Sequence, residues 1–343
     1  MAFDVDSAGV YNGSYFGFEF SREDSDLVLL SVPWDATVSY SEGTAKGPEA
    51  MIQASMQVEI HDEDFPQMWE KGVFTLPSEV KVQEINIEAR EAAKRVIAHI
   101  EGGGSELDEE VLSDVNFVNE CSRWVNTYVY KASRKALEEN KVVGLVGGDH
   151  SSPLGLIAAL SERNDDFGIL HLDAHMDLRD GYEGFTYSHA SIMRRAIEHK
   201  QVSKVVQVGV RDFSGKEASF SSKTQRVESF TSSTLFASKA EGKSWAEISD
   251  EIISQLPQEV YVSFDIDCLD PSYCPSTGTP VPGGLSYNEA LYLLVALARS
   301  GRRVIGFDLC EVAPAEVGEW DANVGARLLY KLCNLTLSTQ GEK

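Results

Sequence analysis

Four short polar segments interrupt long apolar runs in this chain: Gly147-Gly148-Asp149-His150-Ser151, Asp173-Ala174-His175-Met176-Asp177, Asp265-Ile266-Asp267 and Asp308-Leu309-Cys310-Glu311. Spacing by two puts Asp173, His175 and Asp177 on one side of an extended segment, and Asp265 and Asp267 likewise. A buried carboxylate without a partner costs several kcal/mol, so a convergence of such groups requires cations. The set His150, Asp173, His175, Asp177, Asp265 and Asp267 offers hard oxygens with some imidazole. That mixture suits Mn²⁺ better than a sulfur-loving ion, with Ni²⁺, Co²⁺ and Fe²⁺ also compatible. Six ligands are too many for one catalytic ion with an open position, whereas two divalent ions about 3.5–4 Å apart fit them. A lone DxD is most often a loop turn and a lone GGDH a glycine-rich turn. The ordered series GGDH, DAHxD, SFDxD carries the argument.

The apolar runs before these segments are Val142–Val146, Gly168–Leu172, Val260–Phe264 and Val304–Phe307, with further runs at Leu27–Val32 and Val205–Val208. Short, nearly continuous apolar strands are those of a parallel sheet buried on both faces. The polar segments then fall at the strand C-termini, where open parallel sheets place ligands. Helical patterns lie between the strands, over 87–101 and 117–140. Pro153 would open a helix reaching Arg163, and a capping box Ser286-Tyr287-Asn288-Glu289 precedes a helix that Gly301 stops. The 102–116 interval reads as a loop and 212–244 as an irregular surface excursion. The expected architecture is a single three-layer α/β/α domain spanning 1–343 with a mostly parallel sheet, residues up to about 25 forming an arm.

Composition narrows the function. With 30 basic and 54 acidic residues the net charge is −24, which argues against nucleic acid as a partner. It would steer a cationic substrate, or serve only solubility. Met1–Asp6 lacks the basic and apolar character of a secretory leader, and no run is long and apolar enough to span a membrane. Five scattered cysteines without a CxxC pair fit reduced thiols in a cytoplasmic setting.

Gly147–Ser151, Asp173–Asp177, Ser263–Pro271 and Glu311-Val312-Ala313-Pro314 resemble signature segments of the ureohydrolases: arginase, agmatinase, guanidinobutyrase and relatives. The resemblance runs from Pro33-Trp34-Asp35, through Gly47-Pro48-Glu49-Ala50, to about residue 332. It implies an arginase-like fold, two Mn²⁺ ions, and a trimer or hexamer. His150 and Asp177 would bind one ion and His175 and Asp267 the other, with Asp173 and Asp265 bridging. It further implies attack by a metal-bridging hydroxide on a guanidino carbon, releasing urea and an amine. Glu311 matches the carboxylate that orients the guanidinium, and His189 the proton shuttle to the departing amine. Taken by itself, His189 would read as a helix-start or surface histidine. No base partner is evident for Cys268, Cys274 or Cys310, and packing is their expected role.

The substrate loop, Leu178–Tyr187, lacks the Asn and Ser contacts of arginases, and Ala190 stands where these enzymes commonly have Gly. Arg179 would repel a second cationic group unless Asp180 or Glu183 neutralised it. Thr277–Gly284 resembles the guanidine-cleaving branches more than the formimidoylglutamase branch. The expected substrate is a small guanidino compound: guanidine, an alkylguanidine, a biguanide or agmatine. A formimidoylglutamase-like enzyme, a single-zinc deacetylase-like amidohydrolase and a non-catalytic subunit of a hetero-oligomer are the alternatives. The complete six-ligand set opposes the last two.

Overall fold

A computed structural model describes residues 9–341. The reading of Met1–Asp6 as something other than a secretory leader falls on residues outside these. Among the described residues, eight strands form one sheet: β1 (Leu27–Val32), β2 (Val73–Leu76), β3 (Val142–Gly147), β4 (Phe167–Leu172), β5 (Val202–Val208), β6 (Val227–Phe230), β7 (Glu259–Asp265) and β8 (Arg303–Cys310). Their spatial order is β2-β1-β3-β8-β7-β4-β5-β6, and every pairing is parallel.

Strand residues alternate between two apolar layers, as the two-residue period requires. Leu27 and Leu29 of β1 face a layer that includes α1 (Gly47–Ala54). Val28 and Leu30 face the opposite layer, built on α2 (Val80–Glu101), α3 (Glu109–Glu138) and α4 (Leu154–Ser161). Along the chain follow α5 (Ile192–Ala196), α6 (Gly215–Lys223), α7 (Ser232–Ala240), α8 (Trp245–Ser254), α9 (Tyr287–Arg299) and α10 (Trp320–Ser338). Helices α8, α9 and α10 complete the first layer and α5 the second. Both faces are covered, which is why the strands read as unbroken apolar runs. The expected parallel α/β/α architecture is the one observed. No helix among the described residues is long and apolar enough to cross a membrane.

Four points need correction. The 212–244 stretch is not irregular, since it holds α6, β6 and α7. Its signal was a capping box at Ser214 and Glu217, with Thr231 capping α7; polar side chains on exposed helix faces masked it. Strand β2 was missed for a similar reason: it lies at the sheet edge, is four residues long and is mostly half-buried. The 102–116 interval is a loop only as far as residue 108, for Glu109 and Glu110 form the first turn of α3, where acidic groups favour the helix dipole. Pro153 likewise precedes α4 instead of opening it.

Topology gathers the chemistry. The four polar segments lie at the C-terminal ends of β3, β8, β7 and β4, adjacent at the centre of the sheet, with Asp308, Leu309 and Cys310 still within β8. At the end of β3 the chain turns against the segment after β1: Gly148 N–H donates to Val32 O at 3.1 Å and Asp149 N–H to Trp34 O at 2.7 Å. A Cβ on Gly148 would lie 2.0 Å from Trp34 O, a backbone atom that cannot yield cheaply. Gly148→Ala should therefore cost about 2 kcal/mol or more in thermal or denaturant unfolding. Gly215→Ala, at a helix start with nothing within 4 Å, should leave stability unchanged or slightly raised; equal losses in both variants would refute this account of the turn.

Candidate functional site

His150 lies at the centre of the site and is almost wholly buried. Its Nε2 meets Ser263 Oγ at 2.9 Å, and its Nδ1 faces Asp173, Asp177 and Asp265 oxygens at 3.0, 3.2 and 3.3 Å. One ring nitrogen carries at most one proton, so it cannot satisfy three carboxylates. Burial opposes charge on His150, but Asp173, Asp177, Asp265 and Asp308 outweigh it and lift the pKa well above its ordinary value. Burial, reinforced by Asp173, pushes Asp177 up to about 6. Burial, with Asp267 and Asp173 nearby, pushes Asp265 well above the usual carboxylate range. Groups so placed gain from a cation, and the donor set fits one.

A second cluster shares Asp173. His175 Nδ1 is 3.1 Å from Asp267 Oδ2 and 3.4 Å from Asp173 Oδ1. Asp267 Oδ1 accepts from Ala174 N–H at 2.9 Å, leaving the buried Oδ2 without a hydrogen bond. Burial opposes charge on His175, and Asp267 and Asp173 raise it to about 12. An orphaned carboxylate oxygen beside an imidazole is a second place where a cation fits the residues present.

His171 lies inside the apolar run of β4 and was not singled out from sequence. Its Nε2 meets Asp173 Oδ2 at 2.8 Å and its Nδ1 meets Gln207 Nε2 at 3.0 Å. With the Gln207 amide donating to Nδ1, the ring proton lies on Nε2 and His171 donates to Asp173 and orients it; its ring also lies within the group His150, His171, Asp173 and Asp177, whose ligand atoms are close enough together to hold an ion. Imidazole and amide groups inside otherwise aliphatic buried strands were the available signal. Asp308, part of the fourth polar segment but given no role by the sequence, accepts from Tyr261 OH at 2.7 Å and lies 3.6 Å from His150 Nε2.

His189 and Glu311 border the same centre. Glu311, with φ of 64°, accepts from His150 N–H at 2.9 Å through Oε1. Burial and nearby Asp149 push its pKa well up. Asp177 also has positive φ, 54°, a costly conformation for a non-glycine residue that concentrates at functional sites. His189 Nδ1 stands 3.4 Å from Thr37 Oγ1 and 3.3 Å from Ser188 Oγ. Burial, then the charges of His175 and His150, push it down to about 3. His175, Asp177 and His189 open onto a cavity of about 150 Å³ whose mouth holds Arg179 and Tyr182. The Arg179 guanidinium sits 4.6 Å from the centre of the Tyr182 ring and its Nε 3.7 Å from Glu217 Oε2. Glu217 of α6 is thus the countercharge that Asp180 or Glu183 was expected to be; Asp180 pairs with Arg194 and Arg195 instead. All five cysteines are buried and unpaired, and burial lifts the Cys268, Cys274 and Cys310 thiols well up, consistent with packing.

Comparison with known proteins agrees with this geometry. The N(1)-aminopropylagmatine ureohydrolase of Thermus thermophilus is 32% identical over 314 residues, 91% of each chain. The agmatinase of Pyrococcus horikoshii is 26% identical, covering 92% of this chain and 93% of that protein. Among solved structures, the agmatine ureohydrolase of Thermoplasma volcanium superposes with a TM-score of 0.71 at 22% identity, covering 93% of this chain and 92% of the other. The proclavaminate amidino hydrolase from Streptomyces clavuligerus gives 0.68 at 23% identity, covering 92% and 93%. At these identities the structural likeness is one of fold. The arginase family matches residues 25–334, a span that contains every polar segment described above, and the chain belongs to that family, as a hydrolase of guanidino carbon–nitrogen bonds on its agmatinase-like branch.

Proposed function

We propose that this chain hydrolyses a small guanidino compound with two divalent ions, Mn²⁺ first and Ni²⁺ as the alternative. The carrying observation is the set of three carboxylates around one nitrogen of His150, with the orphaned Asp267 oxygen beside His175. His150 and Asp177 would hold one ion, His175 and Asp267 the other, and Asp173 and Asp265 both. When bound, such ions supply the acidity that makes water a competent nucleophile near neutral pH.

The remaining residues bind the substrate and move protons. Glu311 is a buried carboxylate destabilised by its neighbours, so a guanidinium arriving beside it recovers charge compensation and is oriented in return. His189, with Nδ1 against the hydroxyl oxygens of Thr37 and Ser188, would relay a proton to the departing amine. The reading includes a cytoplasmic homo-oligomer, a trimer or hexamer, which rests on the family resemblance and, for the compartment, on unpaired thiols.

Substrate size follows from the mouth of the cleft. The cavity is smaller than the roughly 300–1,000 Å³ of drug-sized pockets, and Arg179 leans over Tyr182 at its entrance. A compact guanidine fits that volume without displacing Arg179 or Tyr182, whereas a longer chain ending in an amine would have to move them. The second reading, agmatine or an aminopropylated agmatine, is favoured by Glu217 and Asp212 lining the same cavity and by the names of the similar proteins.

Asp265→Ala should lower kcat by about a hundredfold or more and leave fewer than two ions per chain by elemental analysis; full activity with two ions would sink the ligand assignment. In a panel of guanidine, methylguanidine, a biguanide, agmatine, aminopropylagmatine and arginine, urea release should give the smallest guanidines a kcat/KM at least equal to that for agmatine, and arginine a poor one. A preference of about tenfold or more for agmatine, equivalent to about 1.4 kcal/mol, would overturn the size argument while leaving the chemistry intact.

A further inference from the structure

Arg211 follows β5, outside every segment that the chemistry singled out, and is only half-buried. Its guanidinium donates to Asp267 O at 2.7 Å, Leu269 O at 3.1 Å and Cys268 O at 3.3 Å. It also donates to Gly209 O at 3.1 Å and, through Nε and Nη2, to Val281 O at 3.2 and 3.0 Å. Its own N–H donates to Ala174 O at 2.7 Å, as does that of Asp212 at 3.0 Å. One residue therefore grips the backbone on either side of the second cluster: Ala174, between Asp173 and His175, and the carbonyl of Asp267 itself. Ala174 N–H in turn holds Asp267 Oδ1, closing the circuit. The packing leaves no slack, since a Cβ on Gly284 would lie 2.6 Å from Leu269 O.

We propose that Arg211 is the positioning residue for the Asp173–His175–Asp267 half of the centre, setting the affinity of that half for a divalent ion without touching the ion or the substrate. This rests on the two-ion reading above. Planar donors at fixed angles can hold several carbonyls at once, whereas an ammonium has three donors on a flexible stem. Lysine therefore keeps the charge and loses the clamp. The other half takes His150 from the end of β3 and Asp177, neither of them among the partners of Arg211, and shares only Asp173 and Asp265 with this one.

The test uses the full-length protein, stripped with a chelator and titrated with Mn²⁺, comparing wild type, Arg211→Lys, Arg211→Gln and His150→Asn. Bound Mn²⁺ is counted by elemental analysis and by electron paramagnetic resonance of the free ion, with circular dichroism to verify the fold. Wild type should take up two ions. Both Arg211 variants should bind one with unchanged affinity and the second about 10–100-fold more weakly, with kcat recovering in excess Mn²⁺. His150→Asn should weaken the other ion. Unaltered binding of both ions by folded Arg211→Lys and Arg211→Gln overturns the proposal. So does equal weakening of both ions in step with lost stability, which marks general loosening. If wild type itself binds fewer than two ions, the two-ion reading fails, and this inference with it.

Discussion

Three carboxylate oxygens crowd one imidazole nitrogen at His150, and the other features of the site follow from the need to tolerate that crowding. Desolvated like charges repel strongly because the surrounding dielectric is low. The fold meets this in part by giving three of the carboxylates fixed partners: His171 and the His175 N–H on Asp173, the Ala174 N–H on Asp267, the Asp267 N–H on Asp265. These partners set where the oxygens point, and residual negative charge remains for cations to neutralise. Preorganisation of this kind moves the cost of assembling the centre from the reaction to folding.

Folding supplies the necessary rigidity through the sheet. Because β3, β8, β7 and β4 are adjacent and parallel, their C-termini lie at one edge, and register aligns their side chains. His171 pairs with Ser263, and Ser263 with Asp308, so imidazole, hydroxyl and carboxylate lie side by side beneath the ligand layer. The loops above them are held by backbone contacts too close for any side chain at Gly148 or Gly284. Positive φ at Asp177 and Glu311 shows the backbone bent to aim two of these carboxylates inward.

The mouth of the cleft follows a different logic. Arg179, Tyr182 and Glu217 come from a loop and from α6, and they are held by ring stacking and a long ion pair. In the function proposed above, these contacts would bear on substrate choice, while the ends of the central strands carry the candidate metal ligands.

The amino-acid sequence by itself determined the parallel core and the order of the polar segments, and it named five of the six residues that the fold gathers into two groups able to hold an ion, His171 being the sixth. Each depends on short-range regularities: apolar runs between turns, Asp-x-His-x-Asp spacing, capping boxes. The resemblance carried by those segments supplied the roles proposed for Glu311 and His189, which no local pattern reveals. Tertiary structure alone decided the rest. Edge strands β2 and β6 owe their existence to a neighbour on one side, so their own residues carry little strand signal. His171, Asp308 and Arg211 matter through partners far along the chain, reached only once strands are paired and loops docked. Glu217 replaced the expected neighbours of Arg179 because α6 packs across the loop, a juxtaposition that no spacing within residues 178–187 encodes.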